Sequence, residues 1–231
     1  MSGVTDESTR AARLLDAQAK AARLFDEIEA RRLVAAGESE RAVSDRIRDV
    51  ANELFGTTHY WHKRIVRSGP NTLLPYRENP PDRVIGADDI AFADFGPIFE
   101  DYEADFGRTF VLGDDPVKHC LRNDLPAVFA AGRRAFEADP DITGKQLYAE
   151  VERLAAEAGW RLGGWHVGHL VGEFPPEYND WEDVDSRILP ANDKPLRRTD
   201  EAGQLLHWIL EVHLVDHERG FGGFYEQLLD L

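Results

Sequence analysis

Carboxylates set inside otherwise apolar runs constrain this chain more than any other feature. Asp94 lies in Ala91-Phe92-Ala93-Asp94-Phe95 and Glu211 in Trp208-Ile209-Leu210-Glu211-Val212, while Glu226 follows Phe224-Tyr225 and precedes Leu228-Leu229. An ionised carboxylate is expensive to bury without a counter-charge or a metal ion. Side chains alternate along a strand, so each carboxylate taken singly also reads as the solvent-facing residue of a half-buried strand. Asp105 and His169 occupy similar surroundings. Together Asp94, Asp105, His169, Glu211 and Glu226 make a mixed carboxylate–imidazole set of the kind that suits Mn, Fe, Co or Zn.

Helical and extended patterns alternate around these residues. Leu14, Leu15, Ala21, Leu24, Phe25, Ile28 and Leu33 recur at three- and four-residue steps, which predicts a helix over 8–36 within an N-terminal helical segment (1–36) closed by Gly37. A second helix carries Val43, Ile47, Val50, Ala51 and Leu54 on one face and stops at Gly56. Residues 58–68 read as a strand and the Pro-rich stretch 69–81 as a connection. The run 89–112 reads as strand, turn at Gly96-Pro97, strand. Helices over 116–137 and 144–158 follow, then a strand-like segment at 163–172, a Pro/Asp-rich loop over 175–200, and two closing strands, 205–214 and 221–229. Val43, Ile47, Val50 and Ala51 are echoed by Leu147, Val151, Leu154 and Ala155. Amphipathic helices resemble one another, but the echo also fits a duplicated α+β half with a site between the halves.

Composition narrows the function classes. Lys+Arg 27 against Asp+Glu 43 leaves a net charge of −16 on 231 residues, 42% of them hydrophobic, which is enough to bury a core. A nucleic-acid partner is not expected, because phosphate binding needs a concentrated basic surface. No run approaches the ~20 apolar residues of a membrane span, and Met1–Arg13 lacks the apolar core of a signal peptide. A cytoplasmic chain without a membrane partner is therefore expected. The lone Cys120 excludes an intrachain disulfide and a cysteine-rich zinc site, and is expected to pack within its helix.

The segment DFGPIFEDYEADFGRTF, with Asp94 and Asp105, resembles the aspartate hairpin of the methionine aminopeptidase, aminopeptidase P, prolidase and creatinase superfamily (family M24). Gly168-His169-Leu170-Val171-Gly172 is similar to that family's Gly-His-x-x-Gly segment, Trp208-Ile209-Leu210-Glu211 to its first glutamate strand, and Gly223-Phe224-Tyr225-Glu226 to its last. Ser68-Gly69-Pro70-Asn71-Thr72 resembles a loop ahead of the hairpin in prolidase-like members. The resemblance implies an α/β (α+β) pita-bread fold: two pseudo-symmetric halves with a curved antiparallel sheet flanked by helices. It implies one such domain over 1–231, without a separate N-terminal creatinase-type domain. It also implies two divalent metal ions (Mn, Co, Fe or Zn), with Asp94 chelating one, Asp105 and Glu226 bridging both, and His169 and Glu211 completing the second. Two ions ~3.5–4 Å apart would share a hydroxide that attacks a peptide-like C–N bond. Thr109 is placed for a hydrogen bond behind the ligands, or is a plain strand residue.

Three positions depart from the family pattern. Tyr76 and Pro176 stand where peptidases carry histidines that contact the substrate amide and the intermediate, and Phe224 replaces an arginine of prolidase-like members. Proline has no side-chain donor. Candidate substitutes for the lost acid–base groups are His166, Tyr76 and His62, with His213 beside Glu211 as a fourth. Lys63, Arg64 and Arg67 form either an anion-binding cluster or a solvated strand face. The leading expectation is a dinuclear metal-dependent hydrolase, aminopeptidase-like or Xaa-Pro peptidase-like, acting on a small peptide or amide-like substrate, with homodimerisation open. The alternatives are a hydrolase or lyase on a small non-peptide substrate, as in the creatinase branch, and a non-catalytic peptide-binding module.

Overall fold

In the computed structural model, which describes residues 6–175 and 183–231, helix α1 (Glu7–Ala30) buries Leu14, Ala17, Ala21, Leu24, Phe25 and Ile28 along one stripe. It stops earlier than the periodicity predicts, well before Gly37. Arg32 takes the left-handed conformation (φ 52°), its N–H donates to the Glu29 carbonyl, and the Leu33 N–H donates to the Ile28 carbonyl. Those paired bonds close a helix end that usually calls for glycine. Helix α2 (Glu40–Phe55) opens on Ser39, whose hydroxyl accepts from the Ala42 N–H, and ends at Gly56 with φ 67°. Helices α3 (Pro116–Ala138) and α4 (Gly144–Glu157) follow the same logic, with Asp115 as N-cap of the first and a Thr143/Gln146 capping box on the second.

Among the described residues nine strands accompany the helices: β1 (Ile65–Ser68), β2 (Ile90–Phe95), β3 (Ile98–Phe99), β4 (Tyr102–Glu103), β5 (Phe106–Val111), β6 (Arg161–Leu162), β7 (Gly168–Val171), β8 (His207–Asp216) and β9 (Phe221–Leu228). The main sheet is antiparallel throughout, in the order β1-β2-β5-β9-β8-β6 with β7 also paired to β8. Each half contributes two helices followed by its strands, and the seam between halves is β5 against β9. The Gly96-Pro97 break is wider than a turn, because β3 and β4 form a small hairpin of their own between the two long strands. The strand predicted over 58–68 survives only at its end; Tyr60 makes an isolated bridge to Pro97, and Trp61 to Arg64 form a bend that carries side chains into the sheet's open face.

The helices bury two apolar layers against one face of the sheet. Phe25, Ile28, Val43 and Ile47 pack with Ala93, Phe95 and Phe106 in the first half, and Leu121, Leu125, Phe129, Leu147 and Val151 pack with Leu210, Val212 and Leu214 in the second. Intervening residues of β2, β8 and β9 therefore point the other way. A third, smaller cluster on that side joins Ile65, Phe92 and Phe224. Ser68, the last residue of β1, and Asn71, from the turn after it, are gathered by Glu40, which accepts from the Ser68 N–H (2.6 Å), the Ser68 hydroxyl (2.9 Å) and the Asn71 amide (2.9 Å). Arg67 is buried and its fork donates to the carbonyls of Leu74, Pro75 and Glu78, while Arg64 reaches Asp45 and Lys63 reaches Asn79. Arg67 is buried and Lys63 and Arg64 are half-buried, so the trio is not a solvated strand face.

Gly168 is indispensable to β7. Its φ is +153°, and a Cβ added there would lie 2.1 Å from the Ile209 carbonyl oxygen of the neighbouring strand. Backbone cannot yield as a side-chain tip can. Gly168→Ala is expected to cost about 4 kcal/mol and to lower the Tm by roughly 8–16 °C, measured by thermal melts; a shift under ~2 °C would show that β7 accommodates the methyl group.

Candidate metal centre

Register puts the acidic residues in one rank. Across the sheet Asp94 faces Gly107, Gly107 faces Glu226, and Glu226 faces Glu211, so all four directly opposed positions share a face. Gly107 keeps the rank open, because a Cβ there would lie 2.5 Å from the Phe224 ring. Asp105 enters just before β5, and His169 comes from β7, two strands from the seam. Among the described residues the side chains form two overlapping donor groups, His62/Asp94/Asp105 and Asp105/His169/Glu226, each with its donor atoms within 4.8 Å of one another. Glu211 stands beside them with Oε1 2.8 Å from His166 Nδ1.

Asp94, Asp105, His169 and Glu226 are buried, Glu226 to 1% exposure, so the solvent-facing reading of these strand carboxylates is overturned. His169 Nε2 lies 3.1 Å from Asp105 Oδ2 and 3.7 Å from Glu226 Oε1. His62 Nε2 lies 3.1 Å from Asp105 Oδ1 and 3.5 Å from Asp94 Oδ1. Burial raises the Glu226 carboxyl well above its ordinary range, and the neighbouring charges of Asp105, Asp94 and Glu211 add to that. Burial also pushes Asp94 up, to about 7, against the opposing pull of His62. Asp105 moves the other way: burial is outweighed by His62 and His169, which hold its carboxyl below the usual range. Desolvation would depress His62, but Asp105 and Asp94 prevail and raise it to about 9. Glu211 is lowered, its burial overcome by His166 and His169.

The rank forms the floor of a pocket of about 640 Å³, open mouth included, walled by Trp61, Phe92, Trp165, Phe224, Tyr76 and Leu74. His62, Tyr76, His166 and His213 all line it. The Tyr76 phenol is pushed up by burial and keeps its proton at neutral pH. Burial lowers His213 to about 4, and its Nε2–H donates to the Thr72 carbonyl at 2.7 Å. Thr109 touches no candidate ligand; its hydroxyl donates to the Phe224 carbonyl (2.8 Å) and accepts from the Phe224 N–H (2.7 Å), fastening β9 two residues ahead of Glu226. Pro176 lies outside the described residues. Cys120 is exposed on α3, not packed, with its thiol 3.4 Å from Asp124.

Sequence reasoning missed the part played by Trp61 and Gly96. The Trp61 indole N–H donates to the Ala104 carbonyl (3.1 Å), and its ring centroid lies 4.6 Å from that of His62 and 5.3 Å from that of His169. Gly96 seats the pair: an added Cβ would come within 2.4 Å of both rings. The Gly-Pro pair reads as a turn signal, and nothing local says that a bend thirty-odd residues earlier packs onto it.

The family model for metallopeptidase family M24 matches residues 12–223. The chain belongs to this family. An Xaa-Pro dipeptidase from Pyrococcus horikoshii is 29% identical over 150 residues, which are 64% of this chain and 41% of that protein. The corresponding enzyme from Pyrococcus furiosus is 29% identical over 147 residues. Among solved structures, the dipeptidase PepE from Mycobacterium ulcerans superposes with a TM-score of 0.74 at 23% identity, covering 98% of this chain and 56% of that one. The X-Pro aminopeptidase from Thermotoga maritima gives 0.73 at 22% identity, covering 96% and 58%. The chain thus spans about two fifths of the length of the curated relatives it matches. The pita-bread fold of the M24 structures is the fold of this chain, with its two halves and antiparallel sheet. M24 membership implies divalent metal ions, and the donors here fit them: carboxylate oxygens and imidazole nitrogens converge, and the buried Asp94 Oδ1 accepts no hydrogen bond. Among the described residues no helix is long and apolar enough to cross a membrane.

Proposed function

We propose that this chain is a dinuclear metal-dependent hydrolase that cleaves a peptide-like C–N bond in a small substrate. The observation that carries this reading is the pair of three-donor groups sharing Asp105 on the floor of one pocket. Asp94, Asp105, His169, Glu211 and Glu226 would hold two divalent cations (Mn, Co, Fe or Zn), with Asp105 and Glu226 common to both. Such a pair supplies Lewis acidity and acidified water at neutral pH. The chain's own groups do the rest. His166, 2.8 Å from Glu211, carries the proton between nucleophile and leaving nitrogen, and the Tyr76 hydroxyl donates to the substrate carbonyl from the pocket wall. Phe92, Ile65 and Phe224 exclude water beside the reacting bond. The machinery belongs to one unit running from α1 to β9, acting in the cytoplasm as a monomer or homodimer.

A second reading, a small non-peptide amide as substrate, is favoured by Phe224, which lines the pocket as an apolar wall where prolidase-like relatives carry an arginine. Both are tested by metal analysis of the purified protein followed by a panel of Xaa-Pro dipeptides, Met-Xaa dipeptides and small amides. Because a positioned donor is worth on the order of 10²–10³ in rate, dipeptides should turn over that much more slowly than with a typical aminopeptidase. His166→Ala should remove most of any activity found. Dipeptide turnover at ordinary aminopeptidase rates, indifferent to His166→Ala, would refute these roles.

A further inference from the structure

Two imidazoles reach Asp105, and they do so in the same manner. His169 Nδ1 lies 2.8 Å from the carbonyl of the following residue, Leu170, and its Nε2 faces Asp105 Oδ2. His62 Nδ1 lies 2.7 Å from the carbonyl of its own following residue, Lys63, and its Nε2 faces Asp105 Oδ1 and, slightly farther, Asp94 Oδ1. A carbonyl only accepts, so Nδ1 carries the proton in both rings and Nε2 is the nitrogen turned toward the carboxylates. This is the arrangement that orients metal-binding histidines: one nitrogen donates to a main-chain oxygen and the other presents its lone pair. An Nε2 aimed at carboxylate oxygens calls for a positive charge between them, either a proton or a metal ion.

The His62 ring is held there by the fold. Gly96 leaves it room, Trp61 braces it against the His169 ring, and the Trp61 indole bonds the carbonyl just ahead of Asp105. The opposing Asp94 Oδ1 is sealed from solvent and accepts no hydrogen bond. We propose that His62 is a metal ligand, binding through Nε2 the ion held by Asp94 and Asp105, so that each of the two ions carries one imidazole. The inference rests on the dinuclear reading above and adds a sixth protein ligand, supplied by the bend before β1. An imidazole in both shells moves the preference of the pair from Mn toward Co and Zn.

The test uses the full chain with histidines labelled in 15N and loaded with 113Cd, so that each coordinated nitrogen is split by the bound nucleus. Two split Nε2 resonances are expected. His62→Ala should remove one of them and weaken binding of one ion at least about tenfold, with circular dichroism checking the fold. His166→Ala, which leaves the His62 seat untouched, should retain both split resonances and so keeps the assignment open to refutation even where His62→Ala misfolds. A single split resonance in the unaltered chain, both surviving His62→Ala, or the loss of one in His166→Ala would overturn the proposal while leaving two bound ions intact. A chain that takes up no divalent cation would overturn the dinuclear reading itself, and this proposal with it.

Discussion

Asp105→Ala is expected to abolish the metal centre, not merely weaken it. Asp105 is the one residue common to both donor groups, with one oxygen 3.1 Å from His62 and the other 3.1 Å from His169. Alanine removes both contacts at once and leaves two buried imidazoles without their shared counter-charge. Metal content should fall from about two ions per chain to below one, and turnover of whichever substrate the panel identifies should drop by on the order of 10³ or more. Elemental analysis and steady-state kinetics check this on the same preparation. Two retained ions with undiminished turnover would mean that the shared carboxylate is not shared.

Chelation should produce the next largest effect, and pH should modulate it. A cation present at roughly 1,000 times its Kd adds about 4 kcal/mol of stability, which in a chain of this size corresponds to roughly 8–16 °C in Tm. Asp94, Glu226, His62 and His169 are all raised in the folded protein. A raised group contributes stability that is complete below its unfolded pKa and lost as the pH climbs through the folded value. Asp94 loses its contribution between about 4 and about 7, and His62 between about 6.5 and about 9. The metal-free protein is thereby weakened toward alkaline pH, where deprotonated ligands bind cations best. The drop in Tm on adding chelator should be clearly larger at pH 8 than at pH 5.5. Melting curves that ignore chelator at both pH values would say that the cluster does not hold a metal.

Much of this molecule was legible from the chain because its chemistry is written into strands. Residues such as Asp94 and Glu226 stand out, since an acidic group between aromatics is costly, and their order along the sequence carries the family resemblance. Helices α2 to α4 announce themselves through caps and three-to-four-residue periodicity. What stayed hidden depends on long-range packing. The end of α1 is set by a left-handed Arg32, which no propensity favours. The run from Tyr60 to Arg64 has strand-like composition, yet it bends because Trp61 and His62 find their partners at Gly96, Ala104 and Asp105. The basic trio reads as a solvated strand face in one dimension, yet in three Arg67 is buried under main-chain carbonyls and Arg64 reaches Asp45 of α2. Burial lowers His213 despite its hydrogen bond to the Thr72 carbonyl, and no spacing rule encodes that.

The seam between β5 and β9 has a consequence for how the chain is tied together. Strand pairing there is confined to Gly107 and Glu226, reinforced by the Thr109 hydroxyl and by Arg108 lying over the rings of Phe106 and Tyr225. Asp94 and Asp105 come from one side of this join, His169, Glu211 and Glu226 from the other. An ion gripped by Asp105 and Glu226 would act as a removable cross-link closing a loop on the order of 100 residues, the length at which a covalent bridge restricts the unfolded chain by about 4–5 kcal/mol. With such an ion bound, a chain with a single cysteine would carry the equivalent of a disulfide across this join, opened and closed by metal supply instead of redox state.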